Sequence, residues 1–430
     1  MGYLVSGILV FLAWISYKKS GTIAAPEVLF CIEWSLISFL ASLRLFGLYD
    51  VSWLTWIIVL VGSLSFLFGI SFGKRVIGKY TINKEIRENG DVFLMSKKFF
   101  WAFLTIMTVY VLYDFSQTYQ YLAAGYSLGQ IREASVGMAE IVGYNRRTGA
   151  LSEYIELIVR VMELLVVASG ITYFISDVKK NYKMIVGVLL FETLYALTNG
   201  GRYGLAYIII EIVVCYFIYK SIKGQMQIAL SKIMKRRMKC ILVFIISMIL
   251  IITLMRGAEI SELIQKYYRY ICGNIVFLDL HINKLNEMKY WSVSYAGLYG
   301  GWSIILPILN NLGIAYPEKY LETITRVMDT QTFQKIGDNL VTNAFITPFY
   351  HIYADFRWGG LVIGMFMFGS IAGNVYKKAK CYADGKHIAY YLILVQMIFK
   401  TLQNYPLTSK NYVVVLILIF AVERKRRYKY

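Results

Sequence analysis

The chain is expected to fold as an all-α, polytopic membrane protein, and three observations predict this. Apolar residues make up 58% of its 430 positions. Charged residues are only 17%, where a soluble domain carries roughly a quarter. The basic excess, a net charge of +19, gathers in short segments between apolar runs. That clustering argues against nucleic acid as a partner, because a nucleic-acid binder shows its charge as one patch or stripe. With only five prolines, a Pro-rich or disordered chain is also excluded.

A hydrocarbon core needs about 20 apolar residues per helix. Eleven segments are candidates in chain order, several of them shorter than that: 3–17, 28–46, 53–73, 99–122, 155–176, 184–198, 203–219, 239–255, 359–376, 388–403 and 411–423. The first reads as a retained span, because no small-residue cleavage site follows it. Loop charge sets the orientation. Lys18 and Lys19 come after the first run. Lys74, Arg75, Lys79, Lys84, Arg87, Lys97 and Lys98 come after the third, and Lys179, Lys180 and Lys183 after the fifth. The same side then receives Lys220, Lys223, Lys232, Lys235, Arg236, Arg237 and Lys239, next Lys377, Lys378, Lys380 and Lys386, and finally Arg424, Lys425, Arg426, Arg427 and Lys429. Positive residues favour the cytoplasmic side. The N-terminus is therefore expected outside and the C-terminus in the cytoplasm. One integral membrane domain covers 1–430, with a large extracytoplasmic loop at about 256–358. Within that loop, 271–280 and 295–309 are apolar but too short to span, and 317–328 reads as an amphipathic helix started by Pro317.

The polar residues gain meaning from this topology. Arg202 lies in Thr198-Asn199-Gly200-Gly201-Arg202-Tyr203-Gly204, a short outer turn between two apolar runs. An unpaired charge at that depth costs several kcal/mol, so it needs a partner or a task. A guanidinium beside a helix N-terminus, with glycines that permit close approach, suits an anion such as phosphate. The plain structural alternative is an arginine that snorkels to the interface or pairs with a carboxylate such as Glu192. Arg132, Arg146, Arg147, Arg256, Arg269 and Arg357 also fall on the outer side; of these, Arg256 and Arg357 adjoin apolar runs at headgroup depth, as interface anchors or, with Arg202, as a ring around one anionic pocket. Of three histidines, His387 reads as a solvated cytoplasmic residue. His281 and His351 are outer, and His351 and Asp355 are four apart, which on a helix gives one face and a possible general base. The outer aromatics Tyr267, Tyr268, Tyr270, Tyr290, Trp291, Tyr295, Tyr299 and Trp302 suit an interfacial belt, or a cleft on which sugars stack. The five cysteines, Cys31, Cys215, Cys240, Cys272 and Cys381, form no CxxC pair and read as small hydrophobes. No HExxH, P-loop, GxSxG or EF-hand pattern occurs, so no metal or cofactor is called for.

The segment from Thr198 to Gly204, entering an apolar run, resembles the bacterial oligosaccharide repeat-unit polymerases, the Wzy-type O-antigen and capsule polymerases. So does Asn343-Ala344-Phe345-Ile346-Thr347-Pro348-Phe349-Tyr350-His351-Ile352-Tyr353-Ala354-Asp355-Phe356-Arg357-Trp358-Gly359-Gly360. Here Arg357 and Trp358 stand where many relatives have glycine or a small apolar residue. Gly129-Gln130-Ile131-Arg132 is a weaker third similarity. The resemblance implies an enzyme of the bacterial inner membrane acting at its outer face. It would transfer a growing glycan from undecaprenyl diphosphate to the next lipid-linked repeat unit, releasing the carrier diphosphate. Its partners would be that lipid-linked oligosaccharide, membrane lipid, a flippase and a chain-length regulator. Arg202 would be the main diphosphate ligand, with Arg132, Arg256, Arg269 and Arg357 as helpers, since a diphosphate leaving group needs charge stabilisation. His351, Asp355 or His281 would serve as base. Tyr350, Tyr353 and Tyr203 would contact glycan. An O-antigen ligase would share these features. A transporter or flippase is the rival from another class, kept open by Glu33, Arg44, Glu163, Glu192 and Glu211 in apolar runs.

Overall fold

The structure, a computed structural model, describes residues 1–76, 92–135, 150–223, 232–256, 263–343 and 346–427. Lys79, Lys84, Arg87, Arg146, Arg147, Ala344, Phe345 and Lys429 lie outside the described residues.

The fold is helical: α1 (Gly2–Ser20), α2 (Pro26–Ser42), α3 (Trp53–Val76), α4 (Lys97–Ala123), α5 (Leu128–Ser135), α6 (Ala150–Ser176), α7 (Val178–Asn199), α8 (Tyr203–Lys223), α9 (Lys232–Met255), α10 (Leu263–Glu287), α11 (Tyr299–Asn311), α12 (Glu318–Asp329), α13 (Pro348–Tyr382), α14 (Gly385–Lys400) and α15 (Lys410–Arg427). A two-residue antiparallel pair, β1 (Gln334–Lys335) and β2 (Val341–Thr342), is the one sheet among the described residues. Each of the eleven segments expected to span contains a helix, although 28–46 runs past the end of α2 at Ser42 and 388–403 past the end of α14 at Lys400. Among the described residues, six helices are long and apolar enough to cross a membrane, in α3, α4, α6, α8, α9 and α13. This is the signature of a polytopic helical membrane protein. The other five expected spans fall in α1, α2, α7, α14 and α15, where shortness or terminal lysines limit the apolar window. α2 has 17 residues and α14 has 16. The outward faces of the helices are greasy: Trp14, Phe11, Ile106 and Val109 are all more than half exposed. An apolar exterior suits lipid and not water.

The chain packs as two compact units. Unit one comprises Met1–Thr81, Ile264–Lys378 and Met397–Tyr430; unit two comprises Ile82–Leu263 and Ala379–Gln396.

Unit one has an aromatic core. Phe30 and Phe66 lie 4.2 Å apart between ring centres, Trp34 meets Phe349 edge-on at 4.7 Å, and Phe66 meets Phe368 at 5.2 Å. Trp34 Nε1 donates to Thr401 Oγ1 at 3.1 Å, so its buried N–H is satisfied. Glycines on α3 and α13 bring the two backbones together. A Cβ at Gly69 or Gly73 would strike the carbonyls of Phe366 or Ser370, and one at Gly369 or Gly373 would strike those of Phe66 or Ile70. Small residues four apart are the usual device for close helix contact in membranes. α13 breaks at Phe356 and Arg357, where Arg357 has φ 54° and ψ −132°. The expected amphipathic helix is α12, with Pro317 accepting at its start from Tyr320 N and Leu321 N. The apolar run at 271–280 belongs to the 25-residue α10, which flanking polar residues extend.

Unit two is a helical bundle of α4 and α6–α9 with the short α5 beside it. Its buried stripes follow helical spacing, Phe100, Leu104, Met107 and Val111 on α4 and Leu205, Ile208, Ile212, Cys215 and Tyr219 on α8. Gly170 and Gly187 leave room for Val188 and Leu104 respectively. His387 is a correction to the sequence expectation. It is 7% exposed, bonds Asp384 Oδ1 through Nδ1 at 2.7 Å and stacks on Tyr382 at 4.2 Å. The Asp384 cap at the start of α14 draws the ring inward, so it is not a solvated loop residue. Cys31, Cys215 and Cys272 are buried as expected of small hydrophobes, whereas Cys240 is exposed and Cys381 half-buried.

Candidate functional site

The turn between α7 and α8 is built by its own residues. Gly200 has φ +64°, the left-handed geometry that ends helices and that glycine adopts without steric cost. Asn199 Oδ1 accepts from Gly201 N at 2.6 Å, closing an Asx-turn. The last carbonyls of α7 have no partner within the helix and need one from elsewhere. Thr118 Oγ1 donates to Thr198 O at 3.0 Å, Arg132 Nη1 to Asn199 O at 2.9 Å, and Arg256 Nη1 to Gly200 O at 3.3 Å. Arg202 Nη1 donates to Thr253 Oγ1 on α9 at 2.6 Å. Two of the five expected arginines, Arg132 and Arg256, thus bind the turn that carries a third, Arg202, which itself reaches to α9. Cations at a helix C-terminus also complement its dipole.

Arg132 is placed by a capping box. Ser127 Oγ accepts from Gln130 N at 3.2 Å, while Gln130 Oε1 accepts from Ser127 N at 2.8 Å. This starts α5 and points Arg132 at the turn. Gly129 allows the approach, since a Cβ there would lie 2.9 Å from Arg256 O.

Beside the turn is a cavity of about 440 Å³, within the range of roughly 300–1,000 Å³ for small-molecule sites. Arg132, Gly201, Tyr203 and Gly204 line it, while Arg202 turns toward α9. The cavity also holds four carboxylates, Asp114, Glu156, Glu163 and Glu192, together with Arg160 and the tyrosines Tyr110, Tyr121 and Tyr195. Arg160 pairs with Glu163 at 3.3 Å, approaches Glu156 at 3.8 Å and lies 4.4 Å from the Tyr195 ring centre. Glu192 is 2% exposed and shares the cavity lining with Glu163. It packs against Gly204 at the start of α8, where a Cβ would stand 3.2 Å from its Cδ. Glu192 therefore faces Gly204 at the start of α8. Helical spacing alone does not point to this carboxylate group; the signal in the sequence was its rarity, charged residues inside apolar runs.

The remaining expected residues belong to unit one, not to the unit that holds the turn. Arg269 Nη1 donates to Val341 O at 3.1 Å. Arg357 Nη2 donates to Leu285 O at 2.8 Å and Nη1 to Asn286 Oδ1 at 3.1 Å, so it caps the C-terminus of α10. Tyr353 shares the same Asn286 Oδ1 at 3.2 Å. Asp355 accepts from Ser292 Oγ at 2.6 Å, Gly297 N at 2.9 Å and Ala296 N at 3.1 Å, and so holds the loop before α11. No hydrogen bond joins it to His351 among the described residues. His351 is buried, with the Asn404 side chain beside it outside ordinary hydrogen-bond geometry. His281 is 5% exposed, packs on Phe277 and Tyr350, and shares a small cleft with Lys284, Arg326 and Asp329. Burial, reinforced by Lys284, pushes its pKa down to about 4. Asp279 accepts from Thr55 Oγ1 at 2.7 Å and is engaged away from His281.

Compared with family models, curated proteins and solved structures, the chain matches none.

Proposed function

We propose that this chain is a glycosyltransferase that polymerises undecaprenyl-diphosphate-linked oligosaccharide repeat units at the outer face of a bacterial cytoplasmic membrane, with all eleven apolar segments spanning. The observation that carries the reading is that Arg132 and Arg256 both bind the glycine-rich turn that carries Arg202, beside a cavity rich in carboxylates and tyrosines. A leaving diphosphate calls for several fixed positive charges at the reacting end of the lipid. The glycan attached to it calls for hydrogen-bond acceptors and aromatic faces. Both chemistries occur side by side here. Arg269 and Arg357 belong to unit one, whereas Arg132, Arg202 and Arg256 belong to the unit that holds the turn, so the diphosphate role is assigned to these three.

The test is a glycan profile of a deletion strain. Loss of long glycan with accumulation of the single-repeat product, restored by the wild-type chain, is expected. In vitro, the purified chain should extend lipid-linked single repeats without any lipid A core, which separates it from a ligase. Absence of chain growth under those conditions refutes the reading. A transporter is the second reading, favoured by the buried Glu163, Glu192 and Glu211 on three helices of one unit. Its mark would be loss of outward-facing lipid-linked repeats in the deletion strain.

A further inference from the structure

We infer that α11 is an interfacial helix, which lays the exposed stripe Ile305, Ile308 and Leu312, with Ile314 after it, into the acyl chains of the bilayer. The inference goes beyond the polymerase reading and does not depend on it.

The sequence around α11 is uniform in one respect. From Tyr290 to Pro317 no residue is charged, whereas Lys284, Glu287 and Lys289 precede the stretch and Glu318 and Lys319 follow it. Within it α11 runs for 13 residues, about 20 Å, short of the roughly 30 Å of a hydrocarbon core. An apolar helix of that length belongs either in a protein core or at a membrane interface. Exposure decides between them. Gly300, Ser303 and Leu306 are buried along one face. Ile305, Ile308 and Leu312 follow one another at helical spacing along the other, 48%, 50% and 73% exposed, and Ile314 is 55% exposed. So large an apolar surface marks a contact with membrane or protein.

The neighbours of α11 favour lipid. A Cβ at Gly300 would stand 2.6 Å from Leu407 O, so α11 lies directly on the 406–408 turn, and it packs on α15, which follows that turn. α15 exposes Ile417, Leu418 and Phe420, an apolar exterior of its own. The stripe of α11 thus adds to the apolar exterior of the helix it rests on. A protein partner would call for a polar rim around the apolar centre. The stretch supplies no charge for one.

α12 sets the depth. It carries the exposed pair Lys319–Glu322 at 2.9 Å, which belongs in water. Tyr320 ties α12 to the segment before it, with its ring 5.6 Å from Tyr295, 6.2 Å from Tyr299 and 6.0 Å from Tyr316. Ile314 comes four residues before Glu318, a reach of at most about 14 Å. α11 therefore lies along the interface and does not cross, with Tyr295, Tyr299 and Trp302 at the headgroup level that aromatic rings favour.

The experiment uses the full chain in bilayer discs. Cys240 and Cys381 are replaced by serine, because the other three cysteines are buried. A nitroxide is then attached at Ile305→Cys, Ile308→Cys, Leu312→Cys or Ile314→Cys. Collisions with oxygen, which dissolves in lipid, should exceed those with a water-soluble nickel chelate, as they should at Phe68→Cys on the exposed side of the long apolar α3. The order should reverse at Glu322→Cys on α12. A stripe at which the nickel chelate dominates faces water and overturns the inference. Low collision rates with both reagents also overturn it, because a second copy or another protein then covers the stripe. A second measurement needs no substitution. A phospholipid with a photoactivated diazirine in its upper acyl chain should label the tryptic peptide Tyr290–Lys319 of the wild-type chain. If Leu45–Lys74, which contains most of α3, is labelled and Tyr290–Lys319 is not, the inference fails.

Discussion

Substituting Gly69 by alanine places a methyl group where α3 and α13 meet backbone to backbone. The new Cβ would overlap Phe366 O and lie 2.9 Å from its carbonyl carbon, whereas ordinary contact begins at 3.4 Å. The helices must therefore part by at least about 0.5 Å, and more at the oxygen. A gap of that size forfeits roughly a quarter to a half of each dispersion contact along the seam. Overpacking costs about 1–3 kcal/mol, and here the obstacle is backbone, which cannot rotate away. Alanine recovers about 1 kcal/mol of helix propensity. The net expectation is a loss of about 2 kcal/mol, or a fall of about 4–8 °C in melting temperature for a unit of this size. The assay is thermal unfolding of the purified protein in bilayer discs, followed by intrinsic tryptophan fluorescence. Gly301→Ala is the control, because its Cβ would meet nothing within 4 Å. Gly369 presses on Phe66 and Ile70 in the same seam. One separation accommodates both methyl groups, so Gly69→Ala with Gly369→Ala should cost less than the sum by at least about 0.5 kcal/mol. A Gly69→Ala protein as stable as Gly301→Ala, or strict additivity of the pair, would refute the reasoning.

Arg202→Lys should leave the fold intact yet shorten the glycan product strongly, by roughly tenfold or more in chain-growth rate, because an ammonium lacks the planar paired donors of guanidinium; near-normal chain length on a gel counts against the diphosphate role. Asp355→Ala strips acceptors from Ser292, Ala296 and Gly297 at once and should cost about 2–4 kcal/mol in unfolding experiments. His281 gives a pH dependence. Its pKa falls from 6.5 to about 4 on folding, so the folded state resists protonation. The stabilisation is full above about pH 6.5 and is lost as pH falls through that value toward 4, up to about 3 kcal/mol. Unfolding measured from pH 7 to 4 should show a shallower loss in His281→Gln than in wild type.

Much of the fold was legible. The apolar runs became helices because a long run of Leu, Ile, Val and Phe satisfies every backbone group within its own segment only as a helix. Pro317 marked the start of α12 because it lacks the N–H that a first helical turn leaves unpaired. Two local signals stood in the sequence unread: Ser127 with Gln130, a capping box, and the glycines at 69 and 73 and at 369 and 373, spaced for close helix contact.

The candidate site divided differently. Arg202 in a glycine turn was visible because a charge between greasy runs demands a partner, and the turn's shape follows from Gly200 and Asn199 themselves. Which other arginines join it was not visible. Arg132 and Arg256 reach the turn, while Arg269 and Arg357 cap carbonyls elsewhere, although all four looked alike as outer cations. Likewise the spacing of His351 and Asp355 suggested a pair, but Asp355 found nearer donors in the loop at 292–297. Sequence by itself determined the helices, the break at the turn and the residues too costly to bury without purpose, because these depend on local backbone chemistry and on transfer from water. Tertiary structure alone decided which charges meet, because a guanidinium binds whichever unsatisfied carbonyl or carboxylate the packing of distant helices brings within about 3 Å.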